Sequence, residues 1–302
     1  MLDRTPLSPS QVAARIDLPI ARHTELFWNP RYKNNIRPLP NSPVVLYNPD
    51  TFDIYSTRAS TRYTPAPYKE LWDQICLMCR TAGLDPDDAS ITLQWGKNSH
   101  GTKGSSVRVD LTWWDERVKA DPHVDDYVAL RMTFFASYDL SWSIQIKFSG
   151  LRLWCTNGCF HTDFAIRAVE RHTGDIDIMK YQNAISNSRE RFASSENMFQ
   201  DMARKPVTGP AAMDVLAKLA WVNTPPQRKH PRYHHHSAAQ ITALEDHLGE
   251  YFNQIGMNKW AVYNAATGWA THFDTKGQYV KQHTVREERV ARLFQSKEWA
   301  DL

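Results

Sequence analysis

An α+β fold, in which an antiparallel β-meander is flanked by helices, follows from three features of this 302-residue chain. Residues 90–156 carry strand-length runs of alternating apolar and polar character, joined by connections too short for crossover helices. Residues 160–302 change to a mostly helical periodicity, with capping residues and proline stops. Residues 1–56 form a proline-rich N-terminal stretch without a regular period, including Pro6, Pro9, Pro19, Pro30, Pro38, Pro40, Pro43 and Pro49. They read as an extended arm. Residues 57–302 read as a single body, because no glycine-serine linker divides them.

The composition narrows the class. Hydrophobic residues make up 42% of the chain and charged residues 23%, ordinary for a protein with a substantial core. A net charge of +3 admits a polyanionic partner without requiring one. No apolar run is long enough to span a bilayer, and the N-terminus lacks a signal-peptide core. A cytoplasmic setting is expected, with the four cysteines reduced.

Within the arm, a short strand fits Val44–Tyr47. Arg22, Arg31, Lys33 and Arg37 interleave with Phe27, Trp28 and Tyr32, a mixture that suits single-stranded nucleic acid. An arm packing its aromatics on the body is the commoner arrangement and the favoured one. Thr57–Thr64 is polar and basic without core character, so Arg58 and Arg62 meet either phosphate or solvent. Pro67 opens a helix that runs to about Gly83, with Leu71, Ile75, Met78 and Cys79 as its buried stripe. Ser90–Trp95 is a strand, and Gly96–Gly104 a flexible basic hairpin loop that contains Lys97 and Lys103. Val107–Trp114 sets Val107, Val109, Leu111 and Trp113 on one face and Arg108, Asp110, Thr112 and Trp114 on the other. After a polar loop, Tyr127–Ala136 forms a strand and Leu140–Trp154 one or two more. The last of these, bearing Arg152, ends at Asn157-Gly158, a polar turn of the kind that often holds a binding residue.

The second half reads as helices. Thr162–Val169 starts a short one, Asp177–Arg204 is one long one stopped by Pro206 and Pro210, and Ala211–Ala220 follows. Thr224–His236 is a proline-rich, basic loop. Ser237 caps a helix through about Ile255, and Arg286–Trp299 forms the last.

Several constellations could carry chemistry. Cys76 and Cys79, with Cys155 and Cys159, have spacings near those of a four-thiolate zinc site. The first pair lies on a helical apolar stripe, so packing is favoured and no metal is assigned. His234–His236 is either a metal tract or, preferably, the top of a solvated electropositive loop. Asp125-Asp126 and Asp175/Asp177 are either magnesium ligands or ordinary loop and helix-start residues. Neither a phosphate-binding loop nor a dinucleotide fingerprint is present, so no cofactor is expected. Asn258–His272 places Lys259, Trp260, Asn264, Thr267 and His272 among aromatic and small residues. Arg286, Arg289 and Arg292 share a helix face, where Glu287 and Glu288 either leave them to phosphates or neutralise them.

Taken together, Gly150, Cys155, Asn157 and Gly158, then Trp260, Asn264, Thr267 and His272, then Arg286 and Arg289, resemble the DUF932 family of phage- and plasmid-encoded proteins. The likeness covers roughly the second two thirds of the chain. It implies mobile-element DNA biology and no particular activity. The order of helix, antiparallel strands and long helix also loosely resembles the core of Rad52-like single-strand annealing proteins. The expected function is therefore single-stranded DNA binding or strand annealing, by a chain that could form a homo-oligomer. Arg58, Arg62, Lys97, Lys103, Arg152, Lys259 and Arg286 would follow the backbone, with Asn157, Trp260, Asn264, Thr267 and Arg289 beside them. One alternative is a nuclease-like enzyme whose pocket joins Asn157, Asn264, Thr267 and His272, with His272 as acid or base. Another is a host-directed or anti-defence protein that binds a second protein. The Asn157-Gly158 turn is expected to pack near Trp260–His272.

Overall fold

The structure, a computed structural model, describes residues 6–23, 44–60, 63–98, 101–121, 125–152, 158–159, 167–170, 178–223, 234–273 and 279–302. In chain order the first elements are α1 (Pro9–Ile16), β1 (Ala21–His23), β2 (Val44–Tyr47), β3 (Ile54–Ala59) and α2 (Tyr68–Thr81). Then come β4 (Ser90–Lys97), β5 (Lys103–Asp121), β6 (Asp126–Ser137), β7 (Ile144–Arg152), β8 (Gly158–Cys159) and β9 (Arg167–Glu170). The helical half holds α3 (Ile178–Ala193), α4 (Glu196–Arg204), α5 (Gly209–Leu216), β10 (Trp221–Asn223), β11 (His234–His236), α6 (Ala238–Ile255), α7 (Lys259–His272), α8 (Tyr279–Phe294) and α9 (Lys297–Asp301). The class is α+β, and β4 to β8 follow one another in the sheet as a meander, with β9 paired to β7.

The chain divides into two compact units. The first comprises Met1–Trp113, Met132–Lys147 and Arg167–Asn187. Here α1, β1, β2 and the start of β3 fall within the residues read as an extended arm, the three strands pairing as one sheet in the order β1-β2-β3. A capping box explains α1: Ser8 Oγ accepts from the Gln11 amide, and the Gln11 side chain accepts from the Ser8 amide. The helix buries Val12 and Ile16 and packs against α2. The reading of Thr57–Thr64 as lacking core character is corrected, since Ala59 and Tyr63 are both buried. The Tyr63 hydroxyl donates to the Ser137 carbonyl at 3.3 Å. α2 begins after Pro67 and ends ahead of Gly83, whose φ of +76° suits glycine. Its stripe of Leu71, Ile75, Met78 and Cys79 is buried as expected. Cys79 Sγ lies 3.9 Å from Met132 Sδ, on the sheet face that also carries Val107, Val109, Leu111 and Trp113.

The second unit comprises Trp114–Arg131, Phe148–Ile166 and Ser188–Leu302. It is built around α7, where every residue from Lys259 to Ala270 is buried. Asn258 caps the helix by accepting from the Ala261 amide at 2.8 Å. Ala261, Ala265, Ala266, Gly268 and Ala270 keep its surface low, which lets α4, α5, α6, α8 and β8 pack around it. Trp260, Tyr263, Phe294 and Trp299 form a continuous aromatic chain, with Tyr263 stacked on Phe294 at 4.4 Å. A helix wrapped on all sides has no polar stripe, which is why its segment showed no amphipathic period.

Several expectations are corrected. β5 runs on to Asp121 through residues read as a polar loop. Arg167–Glu170, the described end of the stretch read as a helix from Thr162, is a strand antiparallel to β7. Asp177–Arg204 is two helices: the amide and Oγ of Ser195 both donate to the Phe192 carbonyl three residues back, and α4 starts afresh at Glu196. His234–His236 pairs antiparallel with β10 rather than lying in a loop. Arg286–Trp299 is interrupted at Gln295-Ser296, where Ser296 Oγ accepts from the Trp299 amide and starts α9.

Candidate functional site

In the first unit, the turn between β2 and β3 presents an aromatic surface. Asn48 organises it: its Oδ1 accepts from the amides of Asp50 and Thr51, and its carbonyl accepts from the Phe52 amide. Phe52 is thereby held at φ +59°, a region costly for a bulky side chain, and is 75% exposed. Its ring stacks on Tyr47, centroids 6.3 Å apart and planes within 9°. Ile54, two residues on, is 41% exposed.

The β4–β5 hairpin is tied to the same place. Asn98 Nδ2 donates to the carbonyls of Ile54 and Tyr55 at 2.7 and 3.0 Å, and Thr102 Oγ1 donates to Ile54 at 3.0 Å. Lys97 and Lys103 are cross-strand partners at the base of that loop, and both are exposed. Arg58, on β3, is exposed as well. None of these three cations forms an ion pair with a described residue. Asp50 and Asp53 sit in the turn itself, where Asp53 Oδ2 accepts from Thr51 Oγ1. The negative charge is thus confined to the turn, while the positive charge lies on the adjoining strands.

Most other residues expected at a ligand surface have internal partners in the second unit. Arg152 is 1% exposed, and its Nε donates to both carboxylate oxygens of Asp126 at 2.7 and 2.9 Å. Trp260 Nε1 donates to the same carboxylate at 2.8 Å. Asn264 Nδ2 donates to the Trp260 carbonyl and Thr267 Oγ1 to that of Tyr263, so both side chains bond their own helix. Arg286 Nε donates to the Ala270 carbonyl in the last turn of α7, where a cation meets the negative helix end. Arg289 reaches the Leu219 carbonyl at 3.4 Å, and Glu288 lies 3.8 Å from Arg292. The Lys259 ammonium donates to the Trp299 carbonyl beside the Trp299 ring, and desolvation pulls its pKa down to about 8. His272 is exposed, with its ring 6.5 Å from that of His247. Arg62 and Asn157 lie outside the described residues. The strand that begins at Gly158, however, packs against α7.

Sequence patterning singled out Arg58, Lys97 and Lys103 but passed over Phe52 and Tyr47. A signal was present, for Asn48-Pro49-Asp50-Thr51 is turn chemistry and an aromatic just beyond such a turn has little core to enter. Cys76 and Cys79 are both buried on α2, and burial pushes the Cys76 thiol up to about 12. Among the described residues no group of three or more His, Cys, Asp or Glu is placed to hold a metal ion. No described helix is long and apolar enough to cross a membrane.

A family model described as a domain of unknown function (DUF932) matches residues 58–296. Neither the curated proteins nor the solved structures include a match, so the likeness to annealing proteins in element order gains no support from them.

Proposed function

We propose that this chain, which belongs to the DUF932 family, binds single-stranded DNA and supports strand annealing for a phage or plasmid. The observation that carries this reading is the juxtaposition of exposed Phe52, stacked on the half-buried Tyr47, with Arg58, Lys97 and Lys103, exposed cations without an ion-pair partner among the described residues. Bases of any identity stack on a flat ring, while cations follow the phosphates, and the combination gives affinity without base readout. Three phosphate contacts would release about two counterions' worth of salt dependence, a slope near −2 in log K against log salt.

The test is a titration of the full chain into a labelled thymidine oligonucleotide, followed by anisotropy at several salt concentrations. Phe52→Ala should weaken binding by roughly ten-fold, in line with ~1–3 kcal/mol per stacked base. Lys97→Gln and Lys103→Gln should each flatten the salt slope by about 0.7. Binding that ignores salt, or that survives Phe52→Ala and Lys97→Gln unchanged, would sink the proposal. Metal-dependent degradation of the oligonucleotide, lost in His272→Ala, would favour the nuclease-like alternative instead. A host protein retained after nuclease treatment, with no affinity for the oligonucleotide, would favour the interaction protein.

A further inference from the structure

Within the first unit, β4 stands at the edge of its sheet, and β5 is its described strand neighbour. On the other edge the Leu7 amide donates to the Ile91 carbonyl at 2.9 Å, an isolated antiparallel bridge. That bond fixes which way the backbone faces. Successive strand residues direct their N–H and C=O groups to opposite edges, so Ile91, Leu93 and Trp95 turn theirs away from β5. The β4–β5 register is regular from Ser90 to Gly96, so the alternation holds through Trp95. Ile91 meets Leu7, but among the described residues the outward groups of Leu93 and Trp95 meet no donor or acceptor. Leu93, Gln94 and Trp95 are half-buried, so solvent reaches this edge. Edges are commonly blunted by charge, proline or a bulge. From Ser90 to Gly96, S-I-T-L-Q-W-G, there is neither charge nor proline, and the register shifts only between Gly96 and Lys97.

We infer that this edge pairs with the same edge of a second copy of the chain, antiparallel about a twofold axis at Gln94. The occupant is a strand, because the edge offers a row of main-chain donors and acceptors. It is the same strand, because β4 is complementary to itself in this register. Leu93 of each copy lies opposite Trp95 of the other, exchanging main-chain hydrogen bonds and joining an aliphatic to an aromatic side chain. Leu93 is also opposite Val109 and Trp95 opposite Val107 across the β4–β5 ladder, so one apolar row continues through both copies. Gln94 faces its own copy, where each amide can both donate and accept. A register centred on Leu93 fails, since it would set Trp95 of the other copy against Ile91, whose carbonyl Leu7 already holds. In the Gln94 register Lys97 falls there instead, and the irregularity at Gly96-Lys97 bends it aside. Identical patches close on each other, so assembly through this edge stops at two. The pairing uses neither Phe52 nor the exposed cations and does not depend on DNA binding.

The full chain, without oligonucleotide, should show a concentration-dependent monomer–dimer equilibrium in sedimentation velocity. Gln94→Cys should form an interchain disulfide on mild oxidation, since the two copies of this position lie about 4.5 Å apart between Cα atoms. Thr92→Cys should not, because its two copies are about 14 Å apart at about 3.4 Å per residue. Leu93→Pro removes an outward N–H that β5 does not use, so it should fold yet weaken the dimer by roughly ten-fold or more. Gln94→Lys sets like charges opposite each other and should weaken it as well. If circular dichroism shows Leu93→Pro unfolded, Gln94→Lys decides. A monomer at every concentration, equal cross-linking of Gln94→Cys and Thr92→Cys, or a dimer indifferent to Gln94→Lys would overturn the pairing. So would a monomer whose Leu93 and Trp95 amides resist hydrogen exchange, the mark of an edge covered from within the chain.

Discussion

Removing Arg152 from the second unit should be among the costlier single changes in the protein. Arg152 and Asp126 are each 1% and Trp260 0% exposed, so neither charge has water to fall back on. Arg152 donates to both Asp126 oxygens at 2.7 and 2.9 Å, and Trp260 adds a third hydrogen bond to that carboxylate at 2.8 Å. Arg152→Met keeps much of the stem that lies against Tyr251 but leaves Asp126 with one described donor and no counter-ion. Breaking a buried pair from one side costs ~3–5 kcal/mol, which for a unit of this size lowers the melting temperature on the order of 10 °C. The pairing itself is not what stabilises, since a buried ion pair roughly balances its own desolvation. Asp126→Leu combined with Arg152→Met should therefore cost much less than the two single changes added together. Thermal unfolding of the two single variants and the double variant, followed by circular dichroism, measures this non-additivity. A drop of less than about 3 °C for Arg152→Met, or strict additivity in the double variant, would refute the reasoning.

Lys259 makes stability depend on pH in a definite direction. Its folded pKa is about 8, below the ordinary lysine value, so between about pH 8 and the unfolded value the unfolded chain holds a proton that the folded chain has released. Stability should consequently rise across that window in the wild type relative to Lys259→Met, and urea midpoints at paired pH values would show it; a falling difference would contradict it. Burial also pushes the Cys76 thiol up to about 12 and Cys79 higher still, so both should resist iodoacetamide in the folded protein. Peptide mapping should find them alkylated at least about a hundred-fold more slowly than in denaturant, and rapid native labelling would show that α2 opens.

Local chemistry alone determined α2, the strand alternation of β5 and the start of α6. Pro67 and Gly83 bound α2 and its stripe repeats at helical spacing, so every local preference agrees. Ser237 likewise precedes α6 directly. The family resemblance was legible as well, because it rests on residue types at particular spacings, and the match over residues 58–296 bears it out. What tertiary structure decided was where side chains of the same chemical type end up. Arg58 and Arg152 look alike in sequence, but Arg58 is exposed on β3, whereas Arg152 meets a carboxylate 26 residues earlier in the chain, to which α7 adds an indole donor. Asn264 and Thr267 read as site polars until α7 closed on itself and turned them to its own carbonyls. Spacing along the chain carries local periods and caps; it cannot carry partners separated by more than a hundred residues. The same reason hid Phe52, whose display depends on a turn held by Asn48 and on a hairpin that reaches it from 44 residues away.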